Sequence, residues 1–226
     1  QDSQIRLTSP LRSAGYVDMT RDVLRRFGVR SMRTENGFSV PGGQTYRLPA
    51  HELAPEGDWS GAAVWLAVNA LGGRIALRGL KDDSLQSDRR MAQLACTLPG
   101  TVDIADIPDL LPLLCVLAAF QPAATRFTHA GRLRYKESDR LNGCARLICD
   151  LGGLAQAEED ALLVQPRPLT GGETDARGDH RMAMAAAAAA CACPQGVLLR
   201  EAECVDKSYP AFWADYKRLG GQMHVL

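Results

Sequence analysis

The chain has 226 residues, 46% of them hydrophobic and 23% charged, enough for one large or two smaller globular domains. Its 26 basic and 26 acidic side chains cancel, which excludes attraction to nucleic acid or to a membrane surface through the overall field. Any anion site must therefore be local.

The seven cysteines are odd in number and lie mostly in apolar runs, so they read as reduced, buried thiols of a cytoplasmic protein. Cys191-Ala192-Cys193 lacks metal-finger spacing and the four histidines are scattered, so no metal is expected. The longest apolar run, residues 182–193, is too short to span a bilayer and reads as a buried helix. No signal peptide is apparent.

In chain order, residues 5–7 read as a strand and 18–27 as a helix closed by Gly28. Phe38-Ser39-Val40 and Gln44-Thr45-Tyr46 are expected to form a hairpin around Gly42-Gly43. Residues 49–57 contain two prolines and no apolar periodicity, which marks a hinge. Beyond it one layout repeats three times: an acidic residue opens an apolar helix, then come a Gly or Pro break, a strand, a polar loop and a second helix.

The first repeat starts at Asp58, runs through a helix to Ala70, a strand at 74–80 and a helix at 89–98. The second starts at Asp109 and continues with a helix to Phe120, a strand at 125–129 and a helix ending at Leu151. The third starts at Asp179, passes through the alanine-rich helix and a strand at 197–200, and ends with a helix at 211–219. Leu-Gly-Gly endings fit left-handed C-caps, and 154–158 with 161–165 reads as a hairpin. Units of about 50 to 70 residues are too long for the common solenoids, so pseudo-symmetric packing of βαβαββ-like units in an α/β protein is expected.

Two segments carry chemistry. Leu133-Arg134-Tyr135-Lys136-Glu137-Ser138-Asp139-Arg140 packs charges just before a helical pattern, with Ser138 or Asp139 as the N-cap, where a positive helix terminus favours phosphates and carboxylates. Gly178-Asp179-His180-Arg181-Met182-Ala183-Met184 opens another helix with an acid, an imidazole and a guanidinium. Lys207, in Asp206-Lys207-Ser208-Tyr209-Pro210, adds a third source of positive charge. Taken singly, the first run would read as a solvated helix start, Asp109 and Asp179 as N-caps, His180 as a structural imidazole and Lys207 as a surface lysine. Asp58 reads as a cap and nothing more.

Together these segments resemble the enolpyruvyl transferase family, most closely the branch acting on 3-phosphoshikimate. The resemblance runs over nearly the whole chain but covers only about the C-terminal half of a family member. It implies an inverse α/β barrel type of architecture in two lobes, with residues 1–56 a partial unit of the first lobe and 57–226 a C-terminal lobe of three repeat units. It also implies transfer of the enolpyruvyl group of phosphoenolpyruvate to 3-phosphoshikimate without metal or organic cofactor, and a missing N-terminal half as partner.

Residue by residue, the resemblance implies that Asp109 and Lys136 act near the attacking hydroxyl and that Glu137 acts in proton transfer at the methylene carbon. Arg140, Arg181 and Lys207 then fall on phosphoenolpyruvate-binding positions, His180 on a substrate-binding position of the family's His-Arg pair, and Ser13 and Tyr16 on acceptor-binding positions. The family more often has Pro at the place of Gly15 and Asn at that of Arg132. The first lobe's Lys-Ser pair, Arg and Gly-rich stretch have no counterpart here, so the chain alone is expected to be inactive. Two alternatives stand beside this reading: a non-catalytic anion-binding lobe, and a related transferase acting on a UDP-sugar through a loop cysteine.

Overall fold

The computed structural model describes residues 1–49 and 54–225. Two of the three sheets cover a core of helices, and the third, near the N-terminus, lies apart from that core. Strands β1 (Ser3–Arg6), β2 (Met32–Thr34) and β3 (Gly37–Val40) form an antiparallel sheet in the order β1-β3-β2. Helix α1 (Ala14–Arg26) adjoins this sheet through Arg21, which donates to Ser31 and lies over the Phe38 ring.

Beyond them lie α2 (Trp59–Ala70), α3 (Met91–Cys96), β4 (Thr101–Asp103), α4 (Leu111–Ala119), β5 (Thr125–Thr128) and α5 (Arg140–Asp150). Next come β6 (Leu154–Ala157), β7 (Ala161–Gln165), β8 (Gly172–Asp175), α6 (His180–Ala190), β9 (Val197–Arg200) and α7 (Phe212–Arg218). The second sheet runs β4-β5-β7-β6, with β4 parallel to β5 and the other pairs antiparallel. The third holds β8 and β9 in parallel.

Helices α2, α4 and α6 pack against one another at the centre. Their sequences explain the position: every residue of α4 is buried, and α6 is nearly all Met and Ala. A helix apolar all round belongs inside a core, and alanines let its neighbours approach. Sheets contribute one face each, as in the alternating burial of β5 and β9. The arrangement is the expected α/β repeat with helices inside and sheets outside; among the described residues no closed barrel forms.

Several expectations hold in detail. Asp58 caps α2 by accepting from the amides of Ser60 and Gly61, and Asp139 caps α5 by accepting from Asn142. Gly72, Gly152 and Gly220 follow their helices with φ of 106°, 88° and 101°, the left-handed conformation that releases the chain from a helix. The β6–β7 hairpin pairs Ala157 with Leu162 at its turn end.

Others need correction. The hairpin expected between 38–40 and 44–46 does not form; β3 instead pairs with β2 across Glu35-Asn36 and with β1 on its other side. The two turn residues are Glu35-Asn36, and Gly37 opens β3 opposite Thr34. Gly37 has φ of 152°, and a Cβ there would lie 1.9 Å from the Ile5 carbonyl oxygen. Helix α1 starts at Ala14, four residues before the expected Asp18, because tertiary hydrogen bonds to Ser13 and the Ala14 amide fix its first turn.

The expected helix at 89–98 is a 3-10 turn, Ser87–Arg90, followed by the shorter α3. Residues 74–80, expected as a strand, carry no regular secondary structure and belong to no sheet. Short strands β4 and β8 had not been expected at all. Cys115, Cys144 and Cys193 are buried, whereas Cys96, Cys149 and Cys191 lie exposed near helix C-termini, contrary to a uniformly buried set. The expected hinge at 49–57 falls in part on residues 50–53, which lie outside the described residues.

Candidate active site

Four segments meet at the ends of the central helices. Asp109 lies in the 3-10 turn Pro108–Leu110 that leads into α4. The charged motif begins in the 3-10 turn Gly131–Tyr135 and delivers Lys136, Glu137 and Arg140 to the start of α5. Asp179, His180 and Arg181 open α6, and Lys207 ends the 3-10 turn Ala202–Lys207.

Arg140 is the hub. Its side chain is only 1% exposed, and Asp179 beneath it is 0% exposed. Nε and Nη2 donate to the two carboxylate oxygens of Asp179 at 2.8 and 3.1 Å. Nη1 donates to Asp109 Oδ1 at 2.6 Å, and Nη2 also donates to Glu137 Oε2 at 2.7 Å. A buried guanidinium is tolerable only with this kind of pairing, and its planar fork suits the bidentate contact. Although burial opposes its charge, the carboxylates of Asp179, Asp109 and Glu137 push the Arg140 pKa up.

Asp179 therefore does more than cap. It accepts from the Arg181 amide at 3.0 Å and from Ser138 Oγ at 3.2 Å while holding Arg140. Asp109, expected to open α4, does not cap it at all; its carboxylate turns toward the cations instead.

Asp109 Oδ1 lies 3.3 Å from Lys136 Nζ, and Oδ2 lies 3.9 Å from Arg181 Nη2. Burial raises the Asp109 pKa, but Arg181, Arg140 and Lys136 outweigh it and hold the group at about 2. Glu137 bridges outward, with Oε1 3.4 Å from Lys207 Nζ. Partial burial raises its pKa, while a backbone hydrogen bond, Arg140 and Lys207 bring it below the ordinary value. Arg181 also donates to the Ser60 carbonyl at 3.4 Å.

His180 adjoins this network but its Nδ1 is buried without a partner. Burial and the neighbouring Arg181 lower its pKa, which favours neutral imidazole. Tyr16 reaches the site from α1, its hydroxyl donating to Asp109 Oδ2 at 3.4 Å. Burial and the carboxylates of Asp88 and Asp109 raise that phenol to about 12.

Ser13 does not join the network directly. Its Oγ accepts from Arg132 Nη2 at 2.7 Å, and the same nitrogen donates to the Ala105 carbonyl at 2.6 Å. Ser13 has φ of 53°, in the left-handed region that disfavours a serine, and the adjacent Ala14 amide donates to Asp106 at 3.1 Å. Asp179, Ser138 and Arg132 were thus the contributors that motif reading passed over. Asp179 carried a signal, an acid immediately before His-Arg, but one indistinguishable from an ordinary cap.

The assembled geometry interleaves the cations Lys136, Arg140, Arg181 and Lys207 with the carboxylates of Asp109, Glu137 and Asp179. Arg181 and Lys207 are the cations with most hydrogen-bonding capacity left, Arg181 meeting the Ser60 carbonyl and Asp109 and Lys207 meeting Glu137. Among the described residues no group of three or more His, Cys, Asp or Glu is placed to hold a metal ion. No helix among them is long and apolar enough to cross a membrane.

The fold is that of enolpyruvyl transferases. An EPSP synthase structure from Acinetobacter baumannii superposes with a TM-score of 0.81 at 21% identity, over 97% of this chain and 57% of that one. The enolpyruvyl transferase NikO from Streptomyces tendae superposes with a TM-score of 0.71 at 18% identity, over 98% and 56%.

The sequence narrows the class. The sequence model of EPSP synthase (3-phosphoshikimate 1-carboxyvinyltransferase) matches residues 1–98 and 89–216, and the chain belongs to that family. Relatives named 3-phosphoshikimate 1-carboxyvinyltransferase include those of Clostridium acetobutylicum, 38% identical over 99% of this chain, and Methanopyrus kandleri, 34% identical over 99%. The chain spans 56% of the length of each.

Proposed function

We propose that this chain is the C-terminal part of an enzyme that transfers the enolpyruvyl group of phosphoenolpyruvate to the 5-hydroxyl of 3-phosphoshikimate. In this reading residues 1–56 are a fragment of the first substrate-binding lobe and 57–226 are the C-terminal lobe. The observation that carries it is the convergence of Asp109, Lys136, Glu137, Arg140, Arg181 and Lys207 from four separate segments into one network.

Each chemical need has a candidate in that network. The phosphate and carboxylate of phosphoenolpyruvate require several cations, for which Arg181 and Lys207 have donors to offer. Arg140 is spent on carboxylates and acts chiefly by orienting Asp109 and Glu137, with its charge adding to the positive field. His180 can offer a neutral N–H to an anion.

The attacking hydroxyl needs a proton acceptor, and the Asp109–Lys136 pair stands at the face that Tyr16 also reaches. Asp109 stays anionic at neutral pH, so it orients the hydroxyl and stabilises the charge on Lys136 more than it binds a free proton. The methylene carbon needs a proton donor, which Glu137 becomes when substrate arrives. An incoming phosphate draws Lys207 away from Glu137 and adds negative charge beside it, and both effects raise the carboxyl pKa.

The wall opposite this network is supplied by the part of the protein outside this chain. Without it, neither substrate is held in attack geometry and water is not excluded, so the chain alone should not turn over. The UDP-sugar alternative gains no support, because the sequence model that matches residues 1–98 and 89–216 is that of EPSP synthase. Phosphate release from phosphoenolpyruvate and 3-phosphoshikimate, assayed with and without the missing part added, tests the proposal. Activity restored only by the addition supports it; binding of phosphoenolpyruvate with no turnover in the reconstituted protein would mean a non-catalytic lobe.

A further inference from the structure

The start of α1 is gripped one residue at a time by three segments of the body that carries the charged network. Ser13 Oγ accepts from Arg132 Nη2 at 2.7 Å, and the Ala14 amide donates to Asp106 at 3.1 Å. A Cβ at Gly15 would lie 2.1 Å from Ser87 Oγ, so bare backbone is what fits against the 3-10 turn Ser87–Arg90. The Tyr16 hydroxyl donates to Asp109 at 3.4 Å.

Ser13 holds a left-handed φ of 53°, which a serine keeps only where its surroundings over-determine it. A serine in this place ordinarily turns its hydroxyl onto the helix as an N-cap, but Ser13 makes no side-chain cap. The hydroxyl goes to Arg132 instead. Because a hydroxyl has one hydrogen and two lone pairs, an oxygen that accepts from a guanidinium keeps its hydrogen for another acceptor. Arg132 thereby sets Ser13 as a donor.

Arg132 also differs from its neighbouring arginines. Arg134, Arg140 and Arg181 each have a carboxylate oxygen nearby, at 3.5, 2.6 and 3.9 Å. Arg132 forms no ion pair among the described residues, and Nη2 meets only uncharged oxygens, Ser13 Oγ and the Ala105 carbonyl. Its Nε is buried with no partner. A guanidinium stays charged at any working pH, so this half-buried cation lacks a counter-ion until an anion arrives.

We infer that Arg132 sets the charge specificity for the acceptor: it orients the Ser13 hydroxyl and supplies the cation that makes the site prefer a phosphate monoester over the same molecule without its phosphate. The inference rests on the reading that places the acceptor's attacking hydroxyl at Asp109 and Lys136. Tyr16 reaches Asp109 from the same turn that holds Ser13, so an acceptor seated there extends along that turn toward Arg132. Asparagine, the more frequent residue at this place in the family, can donate a hydrogen bond but brings no charge. The arginine therefore gives this chain a stronger dependence on the acceptor's own charge.

The experiment measures dissociation constants of 3-phosphoshikimate, of shikimate, which lacks the phosphate, and of phosphoenolpyruvate, by calorimetry on the protein reconstituted with its missing part. Arg132→Met should weaken 3-phosphoshikimate binding about 10-fold or more and leave the other two constants unchanged. Arg132→Lys, which keeps the charge, should recover part of the loss, and Arg132→Asn should not. Because Arg132 also acts through Ser13, Arg132→Met combined with Ser13→Ala should cost less binding free energy than the two single losses added. Equal losses for both acceptors, weakened phosphoenolpyruvate binding, or a loss that Arg132→Lys does not relieve would make Arg132 a structural residue and overturn the inference. Undiminished 3-phosphoshikimate binding in Arg132→Met would overturn it too, while turnover of the unsubstituted protein would leave the proposed reaction standing. An unsubstituted protein that neither binds nor turns over 3-phosphoshikimate would overturn that reaction and the inference with it.

Discussion

Two arginine–carboxylate centres sit less than twenty residues apart in sequence and behave oppositely. Arg126 on β5 pairs with Glu158 through both terminal nitrogens, at 2.6 and 2.5 Å, but the side chains are 41% and 38% exposed. Arg140 makes comparable contacts at 1% exposure and shares them among three acids. Water competes for the first pair and leaves it little net worth. Arg140 and Asp179 in the second have no water to return to, so losing either strands a buried charge. Burial, far more than bond length, separates an ornament of the surface from the frame of the site.

The sharpest way to break the comparison is Arg140→Met. Removing the hub leaves Asp179 fully buried and unpaired, and we expect a loss of about 3–5 kcal/mol in stability, read from urea unfolding. A loss within experimental error would mean that the acids relax to solvent and that the hub is not structural.

Next in size is Glu137→Gln in the protein reconstituted with its missing part. The amide keeps the shape but cannot deliver a proton, so turnover should fall by at least about 100-fold. Stability should change little, since Glu137 is already 28% exposed. Full turnover in this variant would remove Glu137 from the proton-transfer step.

Acid sharpens the same contrast. Asp109 is held at about 2 against an ordinary 3.8, a depression equivalent to about 2 kcal/mol. A depressed carboxylate stabilises the fold above its unfolded pKa, so this share is present above about pH 4 and is lost as the pH falls toward 2. Unfolding midpoints of the chain and of Asp109→Asn should therefore converge between pH 4 and 2; a constant gap across that range would contradict the assignment.

What the sequence made readable follows from which interactions are local. Asp58 and Asp139 were readable as caps because a cap needs only the next three residues. The central helices were readable from runs apolar all round. Asp109 and Asp179 followed the same local pattern, yet one does not cap and the other does so while anchoring Arg140 across 39 positions. Residue type alone cannot tell these outcomes apart. The Lys136–Arg140 run gained meaning only beside Asp179-His180-Arg181, through a resemblance and not through periodicity. Strands β4 and β8 were missed because three or four residues carry too little alternation, and they exist by pairing with β5 and β9. Ser13 was matched by motif, but its tie to Arg132 spans 119 positions and has no local trace.

The two smallest effects test whether exposure separates function from stability. Lys207 is 59% exposed and touches the network only through Glu137. Lys207→Met should leave the unfolding midpoint unchanged but raise the phosphoenolpyruvate KM of the reconstituted protein about 10-fold, the loss of roughly one charge-assisted contact. Arg126→Met, by contrast, should move neither the midpoint nor any kinetic constant, because its partner Glu158 returns to water when released. A midpoint shift in Arg126→Met as large as that in Arg140→Met would defeat the distinction between them. Geometry would then decide the worth of an ion pair in this fold, and burial would not.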